Sequence, residues 1–331
     1  MSDRATQLNH WLDQLGYRDY RLSPASEDAS FRSYLRLETA AESLIIMDAP
    51  PEKEPCEQFI AVARKLRDAG LSAPEIIAQN PAEGFLVLTD FGGNDYLSQL
   101  SPESEGSLYG DALAALLLMQ TRIDAADLPL YDAALLNREM DLFHDWFLGK
   151  LLGVSLDPEQ QANWQSIKQV LVENALAQPQ VFVHRDYHSR NLMELETGNP
   201  GILDFQDAVK GPFTYDLVSL LRDCYIDWPP IRVDQLALDY YELARVNDLV
   251  GVKAAQFIRW FNLMGVQRHL KAIGIFSRLE IRDGKSGYLK DIPRTLEYLR
   301  QISADEMSMV GLFSMIEQLG LKLRMSAFLS S

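Results

Sequence analysis

The chain has 331 residues, of which 47% are apolar, so it is long enough to bury a core and to form two domains or one two-lobed unit. Its formal net charge of -16 argues against the positive surface that nucleic acids and anionic membranes require, and so excludes both as bulk partners. Two cysteines, Cys56 and Cys224, are too few for a disulfide framework and indicate a reducing, cytoplasmic setting.

The amino-terminal stretch predicts a short helix rather than a targeting segment. Residues 2–16 are amphipathic and lack the apolar core of a signal peptide. Four apolar side chains fall on one face of this helix: Leu8, Trp11, Leu12 and Leu15. The longest apolar run, residues 112–119, is far too short to span a bilayer. We therefore expect no membrane partner, and the sequence gives no sign of an obligate protein partner.

The next part of the chain predicts a small sheet with one helix. Residues 20–37 alternate in polarity like a hairpin, and residues 43–48 form an apolar strand. Residues 55–70 predict a helix that ends at a glycine. A further strand at 85–88 is followed by a link at 89–93.

From about Tyr96 the pattern becomes helical. The clearest helices are predicted at residues 108–123, 137–152, 158–177 and 252–273. The sequence therefore predicts an α+β chain with a sheet-rich part at 1–93 and a larger, mostly helical part at 94–331.

Residues 181–207 carry the pattern with the clearest chemistry. His184, Arg185 and Asp186 open a loop that reaches Asn191, and Asp204 follows an apolar run after a turn at 198–201. This spacing matches the kinase catalytic loop H-R-D-x-x-x-x-N and a following metal-binding Asp-Phe. The alternative interpretation is a polar turn between two strands, with a structural histidine and a capping asparagine.

The continuation "FQDAVKGPFTYDLVSLL" carries a family resemblance. Gly211-Pro212 leads quickly to Tyr215-Asp216, with no long activation segment and no A-P-E motif. The segment resembles the aminoglycoside-phosphotransferase and choline-kinase branch of the protein-kinase-like fold. This resemblance implies a bilobal fold with a nucleotide-binding lobe at 1–93 and a lobe for catalysis and the acceptor at 94–331. It also implies ATP and Mg²⁺ as cofactors and a small-molecule acceptor.

The resemblance assigns roles to the motif. Asp186 becomes the catalytic residue, which accepts the proton of the attacking hydroxyl. Asn191 and Asp204 offer the hard oxygen ligands that suit Mg²⁺. His184 and Asp216 are expected to be structural, with Asp216 bracing the catalytic loop.

The resemblance also assigns nucleotide contacts. The loop that ends at Ser30 contains no glycine, although its small residues and hydroxyl groups can still approach phosphate. Ser30 and Arg32 are candidate ATP-binding residues, with a plain surface hairpin as the alternative. Glu57 is a candidate for the helix glutamate that pairs with the strand-three lysine in kinases. An interaction with the dipole of its own helix is an equal alternative. Thr89 and Asp90 belong to the expected hinge that meets the adenine.

One expected group is missing from the third strand. Kinases carry a lysine there that pairs with the α- and β-phosphates, but Met47 occupies the aligned position, or Asp48 if the register slips. Arg32, Arg36 and Lys53 are possible substitutes, and the sequence does not choose among them.

The acceptor site is expected on the helix at 252–273. Its tail is locally basic in an acidic protein, so Arg259, Arg268 and His269 are candidate substrate-binding residues. The alternative is that these charged side chains form a solvated helix face.

Three segments extend the resemblance over most of the chain. "SLIIMDAPPEKE", "HRDYHSRNLM" and "MGVQRHLKAIGIFSRL" are similar to bacterial anomeric sugar kinases that act on N-acetylmuramate and N-acetylglucosamine in peptidoglycan recycling. This implies phosphorylation of the C1 hydroxyl to the α-1-phosphate. The alternatives are a kinase of choline, homoserine or an aminoglycoside, a non-catalytic nucleotide-binding module and, least favoured, a protein kinase.

Overall fold

The computed structural model describes residues 3–26 and 31–330 and divides the chain into two compact units. The first unit contains the residues up to Leu108 together with Asn191–Asp207. The second contains Tyr109–Arg190 and the chain from Ala208 onward. The lobe boundary at residue 93 stays a prediction, because compact units and lobes are defined differently.

The first unit is built on a five-stranded antiparallel sheet with the order β1-β2-β3-β5-β4. The strands are β1 (Arg21–Ser26), β2 (Ser33–Glu38), β3 (Ser43–Asp48), β4 (Ile76–Asn80) and β5 (Phe85–Thr89). The helices of this part are α1 (Asp3–Gln14), α2 (Glu57–Asp68) and α3 (Tyr96–Gln99). The predicted hairpin, the apolar strand and both longer helices are therefore confirmed.

Helix α1 covers one face of this sheet. Its apolar residues Leu8, Trp11 and Leu12 are buried against strand residues such as Ile46. Burial of this kind stabilises a fold by about 25 cal/mol per Å² of apolar surface. Leu15 was predicted on the same face but is 42% exposed, because the helix ends at Gln14.

Residues 191–207 form a short hairpin that belongs to the first unit. Its strands are β7 (Leu192–Met193) and β8 (Gly201–Ile202), which pair as the predicted turn at 198–201 requires. Strands are numbered in chain order, so β6 (Gln180–Val183) precedes them although it belongs to the second unit. Ile202 N–H donates to the Ser72 carbonyl at 2.7 Å, and Glu194 N–H donates to the Asn94 carbonyl at 2.8 Å. These backbone hydrogen bonds fix the hairpin within the first unit.

The second unit is mostly helical. Its helices are α4 (Glu105–Arg122, which starts in the first unit), α5 (Ala133–Leu142), a π-helical segment (Phe143–Leu151), α6 (Pro158–Leu176), α7 (Tyr215–Leu221), α8 (Pro230–Val246), α9 (Ala254–Asp283), α10 (Ile292–Asp305), α11 (Val310–Gln318) and α12 (Leu321–Leu329). Short 3-10 turns lie at Ser286–Asp291 and Met307–Met309. Strand β6, which leads into the loop at 184–191, pairs antiparallel with β9 (Val209–Pro212).

Helix α9 runs through the core of this unit and packs against α5, α6, α7 and α10. A glycine permits one of these contacts, since a Cβ added at Gly274 would lie 2.4 Å from the carbonyl carbon of Leu142. The centre of α9 is buried, and this includes the polar run 267–269 and Lys271. The expectation of a solvated basic face is therefore wrong for these residues.

The combination of an antiparallel sheet and a helical unit confirms the predicted α+β, kinase-like fold class. No helix in the described ranges is long and apolar enough to cross a lipid bilayer. Cys56 and Cys224 are both buried thiols without a disulfide bond.

Candidate active site

A buried carboxylate, that of Asp216, holds the backbone of the loop that follows β6. Asp216, at the start of α7, is fully buried and accepts the backbone N–H of His184 at 2.7 Å and of Arg185 at 3.0 Å. Burial raises the pKa of Asp216 to about 7, although these two N–H groups favour its ionised form. The Asp186 N–H in turn donates to Nδ1 of buried His184 at 3.2 Å. The loop backbone is thus fixed on both sides of Arg185.

Asp186 lies in a strongly cationic environment. Burial alone would raise its pKa, but Lys271, His188, Arg185 and Arg268 outweigh this effect and lower the pKa to about 2. The carboxylate is therefore ionised throughout the physiological range. An ionised carboxylate of this kind can accept a hydrogen bond, and then a proton, from a hydroxyl group.

A buried cluster supplies part of this positive charge. Glu139 of α5 pairs with Arg185, whose Nη2 lies 2.6 Å from Oε1, and with Lys271 of α9, whose Nζ lies 3.4 Å from the same oxygen. Tyr131 donates its hydroxyl hydrogen to Glu139, and Lys271 donates to the Tyr215 hydroxyl at 2.9 Å. Burial alone would raise the pKa of Glu139, yet the two cations lower it. The cluster links α5, α7 and α9 to the catalytic loop.

Arg185 adopts a backbone conformation that side chains usually avoid. Its φ angle is +78°, in the left-handed region that favours glycine. Such a conformation costs on the order of 1–3 kcal/mol, and it persists only where surrounding contacts hold it. The Arg185–Glu139 pair and the Asp216 hydrogen bond provide such contacts.

A second carboxylate holds the far end of the loop. Asp223 is buried and accepts the backbone N–H of Ser189 at 3.0 Å and its hydroxyl hydrogen at 2.5 Å. Tyr225 also donates its N–H to Asp223 at 3.0 Å, and its ring packs edge-on against His188. Burial lowers the pKa of His188, against the carboxylates of Asp223 and Asp186, which favour the protonated ring.

The three candidate acceptor residues on α9 have different environments. The Arg259 side chain is 42% exposed and pairs with Glu306 at 3.4 Å. His269 is fully buried, stacks on Tyr298 and bonds to the Arg222 carbonyl at 3.0 Å. Arg268 is only 6% exposed, and its hydrogen bond is to the Cys224 sulphur at 3.8 Å.

The burial of His269 predicts a loss of stability in acid. Burial lowers its pKa from 6.5 to about 3, so the unfolded chain binds the proton more readily than the folded one. The stability that depends on neutral His269 is present above pH 6.5 and is lost as the pH falls, by about 2 kcal/mol at pH 5. Urea unfolding of His269→Gln at pH 7.5 and pH 5 should show a smaller difference than the wild type. His10→Gln, at an exposed histidine, should keep the wild-type difference; equal pH dependence in both variants would show that another group titrates.

In the first unit, a carboxylate and two amides meet after β8. The Asn191 amide nitrogen lies 3.4 Å from Asp204 Oδ2, and Gln206 donates to Asp204 Oδ1 at 2.6 Å. Asp204 has a φ angle of +60°, which is also in the left-handed region. The Gln206 side chain is buried, and its Oε1 has no hydrogen-bond partner in the part of the chain that the structure describes.

This arrangement fits a magnesium ion. Magnesium prefers oxygen ligands and binds through one or two carboxylates together with phosphate and water. Asp204 supplies one carboxylate and Asn191 an amide oxygen, and the buried oxygen of Gln206 adds polar surroundings. Among residues 3–26 and 31–330, no group of three or more His, Cys, Asp or Glu side chains forms a metal site by itself.

The candidate phosphate cations are also in the first unit. Arg32 pairs with Glu54 at 2.7 Å, and both side chains are largely buried. Strand register places Tyr34 opposite Met47, and Arg32 lies immediately before β2, next to Ser33, which pairs with Asp48. Glu57 is exposed in the first turn of α2. Ser30 lies outside the described residues.

Asp90 has a bracing role in the link after β5. Its carboxylate accepts two hydrogen bonds from Arg36, at 2.6 and 3.0 Å, and one from Ser43 at 2.6 Å. Burial alone would raise the pKa of Asp90, but these partners lower it. Thr89 Oγ1 accepts the Glu75 N–H at 3.0 Å. Arg36 is thereby committed to Asp90, and Lys53 lies 4.4 Å from the Phe31 ring centroid.

Several of these residues did not follow from the motifs. They are Glu54, Glu139, Gln206, Asp223 and Lys271. A usable signal existed for Lys271, because Phe261, Met264, Arg268 and Lys271 are spaced at 3, 4 and 3 positions along one helix face. Charges in register with an apolar stripe indicate burial, and buried charges need partners.

Comparisons with known proteins agree with this geometry. The model of the "Phosphotransferase enzyme family" matches residues 21–251. An N-acetylmuramate/N-acetylglucosamine kinase of Pseudomonas putida is 44% identical, over 96% of each chain. A kinase of the same name from Pseudomonas aeruginosa is 47% identical, over 90% of this chain and 92% of its own. The ADP-bound aminoglycoside phosphotransferase APH(2'')-Ib has the same fold, with a TM-score of 0.60 at 16% identity over 89% of this chain and 97% of that one.

Proposed function

Because the chain belongs to the phosphotransferase enzyme family, we propose that it transfers the γ-phosphate of ATP to the anomeric hydroxyl of N-acetylmuramate and N-acetylglucosamine. The names of relatives that are 44% and 47% identical over nearly whole chains support the two sugars as acceptors. The observation that carries the chemistry is the ionised Asp186 on a braced loop. Both sugars are components of peptidoglycan, so the enzyme would act in its recycling in the cytoplasm, where ATP is available.

Asp186 is proposed to be the catalytic residue. Its carboxylate orients the C1 hydroxyl for attack and accepts the proton as the new O–P bond forms. A base with a pKa of about 2 is weak. Weakness is acceptable here, because an anomeric hydroxyl is more acidic than an ordinary alcohol and proton transfer occurs late. Asp216 and Glu139 would keep the loop in place during this step.

Asn191 and Asp204 are proposed to hold Mg²⁺. Between them, these two side chains would hold an ion that would offset the negative charge developing on the phosphates. Gln206 positions Asp204 through the 2.6 Å hydrogen bond, so the carboxylate keeps one orientation. The strained φ angle of Asp204 is consistent with a residue retained for function rather than for stability.

Arg32 is proposed to replace the missing strand-three lysine. It lies directly before β2, the strand that pairs with the Met47 strand, and Glu54 neutralises it as a helix glutamate would neutralise the lysine. Arg36 is less suitable, because both arms of its guanidinium bind Asp90. Ser30, Glu57, Thr89 and Asp90 remain proposed neighbours of ATP, for which backbone groups would supply the contacts at 89–90.

Substitution of Gln206 should weaken magnesium binding. Loss of a residue that orients a metal ligand commonly costs 10–100-fold in metal affinity. We expect Gln206→Leu to raise the Mg²⁺ Kd by about 10–100-fold, measured by calorimetric titration of Mg²⁺ into the enzyme–ADP complex. Gln169→Leu, at an exposed glutamine, is the control. Equal Mg²⁺ affinity in the Gln206→Leu and Gln169→Leu variants would show that Gln206 does not support the magnesium site.

An acceptor panel tests the proposed function directly. ADP release would be measured with ATP and N-acetylmuramate, N-acetylglucosamine, choline, homoserine or kanamycin, and ³¹P NMR would identify an anomeric phosphate. We expect turnover with the two N-acetyl sugars only. The cations near Asp186 disfavour positively charged acceptors such as choline and aminoglycosides. Turnover with those acceptors, or with none, would overturn the proposal.

A further inference from the structure

Arg268 is an unusual buried cation. It lies in the centre of α9, is 6% exposed, and its Nε has no hydrogen-bond partner among the described residues. Its one hydrogen bond goes from Nη1 to the Cys224 sulphur at 3.8 Å, and sulphur is a weak acceptor. A guanidinium offers five N–H donors, so most of its capacity is unused.

Buried cations normally have a carboxylate partner. Glu139 serves Arg185 and Lys271 in this way, and Lys168 has Asp141 at 2.6 Å. Within residues 3–26 and 31–330, no carboxylate oxygen lies within ion-pair distance of Arg268. An unpaired buried charge is costly, so evolution is expected to retain it only for a purpose.

The charge of Arg268 is maintained by its surroundings. A guanidinium is charged at neutral pH, and although burial opposes this, the acidic groups around Arg268 more than offset burial and raise its pKa; among them, the carboxylates are Asp223 and Asp186. Asp186 and Asp223 act on Arg268 through space rather than through a hydrogen bond, and the Asp223 carboxylate accepts hydrogen bonds from Ser189 and from the Tyr225 N–H. The guanidinium is therefore charged, interacts electrostatically with Asp186 of the loop at 184–191, and has an N–H group available for a further hydrogen-bond acceptor.

We propose that Arg268 binds the carboxylate of an acidic acceptor sugar, and so distinguishes N-acetylmuramate from N-acetylglucosamine. This inference rests on the proposed function, since both sugars must be substrates. A planar guanidinium matches a carboxylate in two parallel hydrogen bonds, which a sulphur atom cannot replace. The lactyl ether of N-acetylmuramate carries such a carboxylate, and N-acetylglucosamine lacks it. In a chain with a net charge of -16, a local cation also counters the repulsion of an anionic substrate.

The test measures a ratio of specificities. For Arg268→Met, kcat/KM for N-acetylmuramate divided by kcat/KM for N-acetylglucosamine should fall by about 10–100-fold, the usual effect of a hydrogen bond to a charged group. Any change in Asp186 affects both sugars and cancels in the ratio. The ratio for Arg268→Lys should lie between those of the wild type and Arg268→Met, because lysine keeps the charge but cannot make two parallel hydrogen bonds to a carboxylate. Arg245→Met, at an exposed arginine paired with Glu242, should leave the ratio unchanged.

A second measurement does not depend on the folding of a variant. The wild type should prefer N-acetylmuramate to its lactyl amide, which has the same shape without the charge, by a similar factor. Equal kcat/KM for acid and amide, or an unchanged sugar ratio in a folded Arg268→Met protein, would overturn the inference. A ratio that falls in Arg190→Met but not in Arg268→Met would assign the carboxylate to Arg190, which lies over the Tyr225 ring at 3.9 Å. Absence of wild-type turnover with both sugars would instead overturn the proposed function.

Discussion

Substitution of Asp186 by Asn is expected to lower kcat by about 10²–10⁴-fold, the usual effect of losing a positioned base. The asparagine keeps the size of the side chain but cannot accept the hydroxyl proton. The loop should keep its shape, because Asp216 holds it through the backbone of His184 and Arg185. Steady-state ADP release with N-acetylglucosamine and saturating MgATP measures the effect.

Two controls separate catalysis from folding. The thermal midpoint of Asp186→Asn should fall modestly while the protein stays folded at the assay temperature, because the cations that lower the pKa of Asp186 stabilise its charged form. Asp239→Asn, at an exposed position on α8, should keep wild-type turnover. Near-normal kcat in a folded Asp186→Asn protein would show that Asp186 is not the base.

Truncation of Glu139 should have the largest effect on stability. Glu139→Ala leaves Arg185 and Lys271 buried without their shared carboxylate, and it also removes the acceptor for Tyr131. Breaking a buried ion pair from one side commonly costs about 3–5 kcal/mol. We expect a loss of this size in the free energy of unfolding, measured by urea denaturation.

The matched control is Glu242→Ala, which removes an exposed ion pair with Arg245. Exposed pairs contribute about 0–1 kcal/mol, so this variant should differ little from the wild type. Glu139→Gln keeps hydrogen bonding but not charge, so its loss of unfolding free energy should lie between those of Glu139→Ala and Glu242→Ala. A Glu139→Ala protein as stable as Glu242→Ala would mean that water replaces the carboxylate within the cluster.

The sequence predicted the loop at 184–191 and the hairpin that follows it, because their parts are contiguous. His184 to Asn191 lie on one loop, and Asp204 returns through a short hairpin whose turn residues are visible in the chain. Strand and helix periodicity likewise predicted most elements of the first sheet. Local patterns of this kind report local structure without knowledge of tertiary contacts.

The supporting cluster could not be predicted in the same way. Glu139 and Arg185 are 46 positions apart, and Lys271 follows much later in the chain, so only packing of α5 against α9 brings them together. A glutamate in an amphipathic helix is usually solvated, and its sequence context gives no contrary sign. The pair Arg32–Glu54 does not follow from the sequence for a related reason, because Glu54 precedes α2, whereas the fold's usual glutamate lies within that helix.

Met47 has a consequence for chemical probes. Electrophilic ATP analogues that acylate an amine beside the phosphates depend on a lysine in the third strand, and β3 contains none. The Met47 side chain is fully buried, and a thioether does not form an amide. Such reagents should spare this enzyme in a mixture of kinases, whereas a reversible competitor that places an anion against a guanidinium would not. If Arg32 takes the place of the lysine as proposed, selective inhibitors can be sought among compounds that need an arginine there.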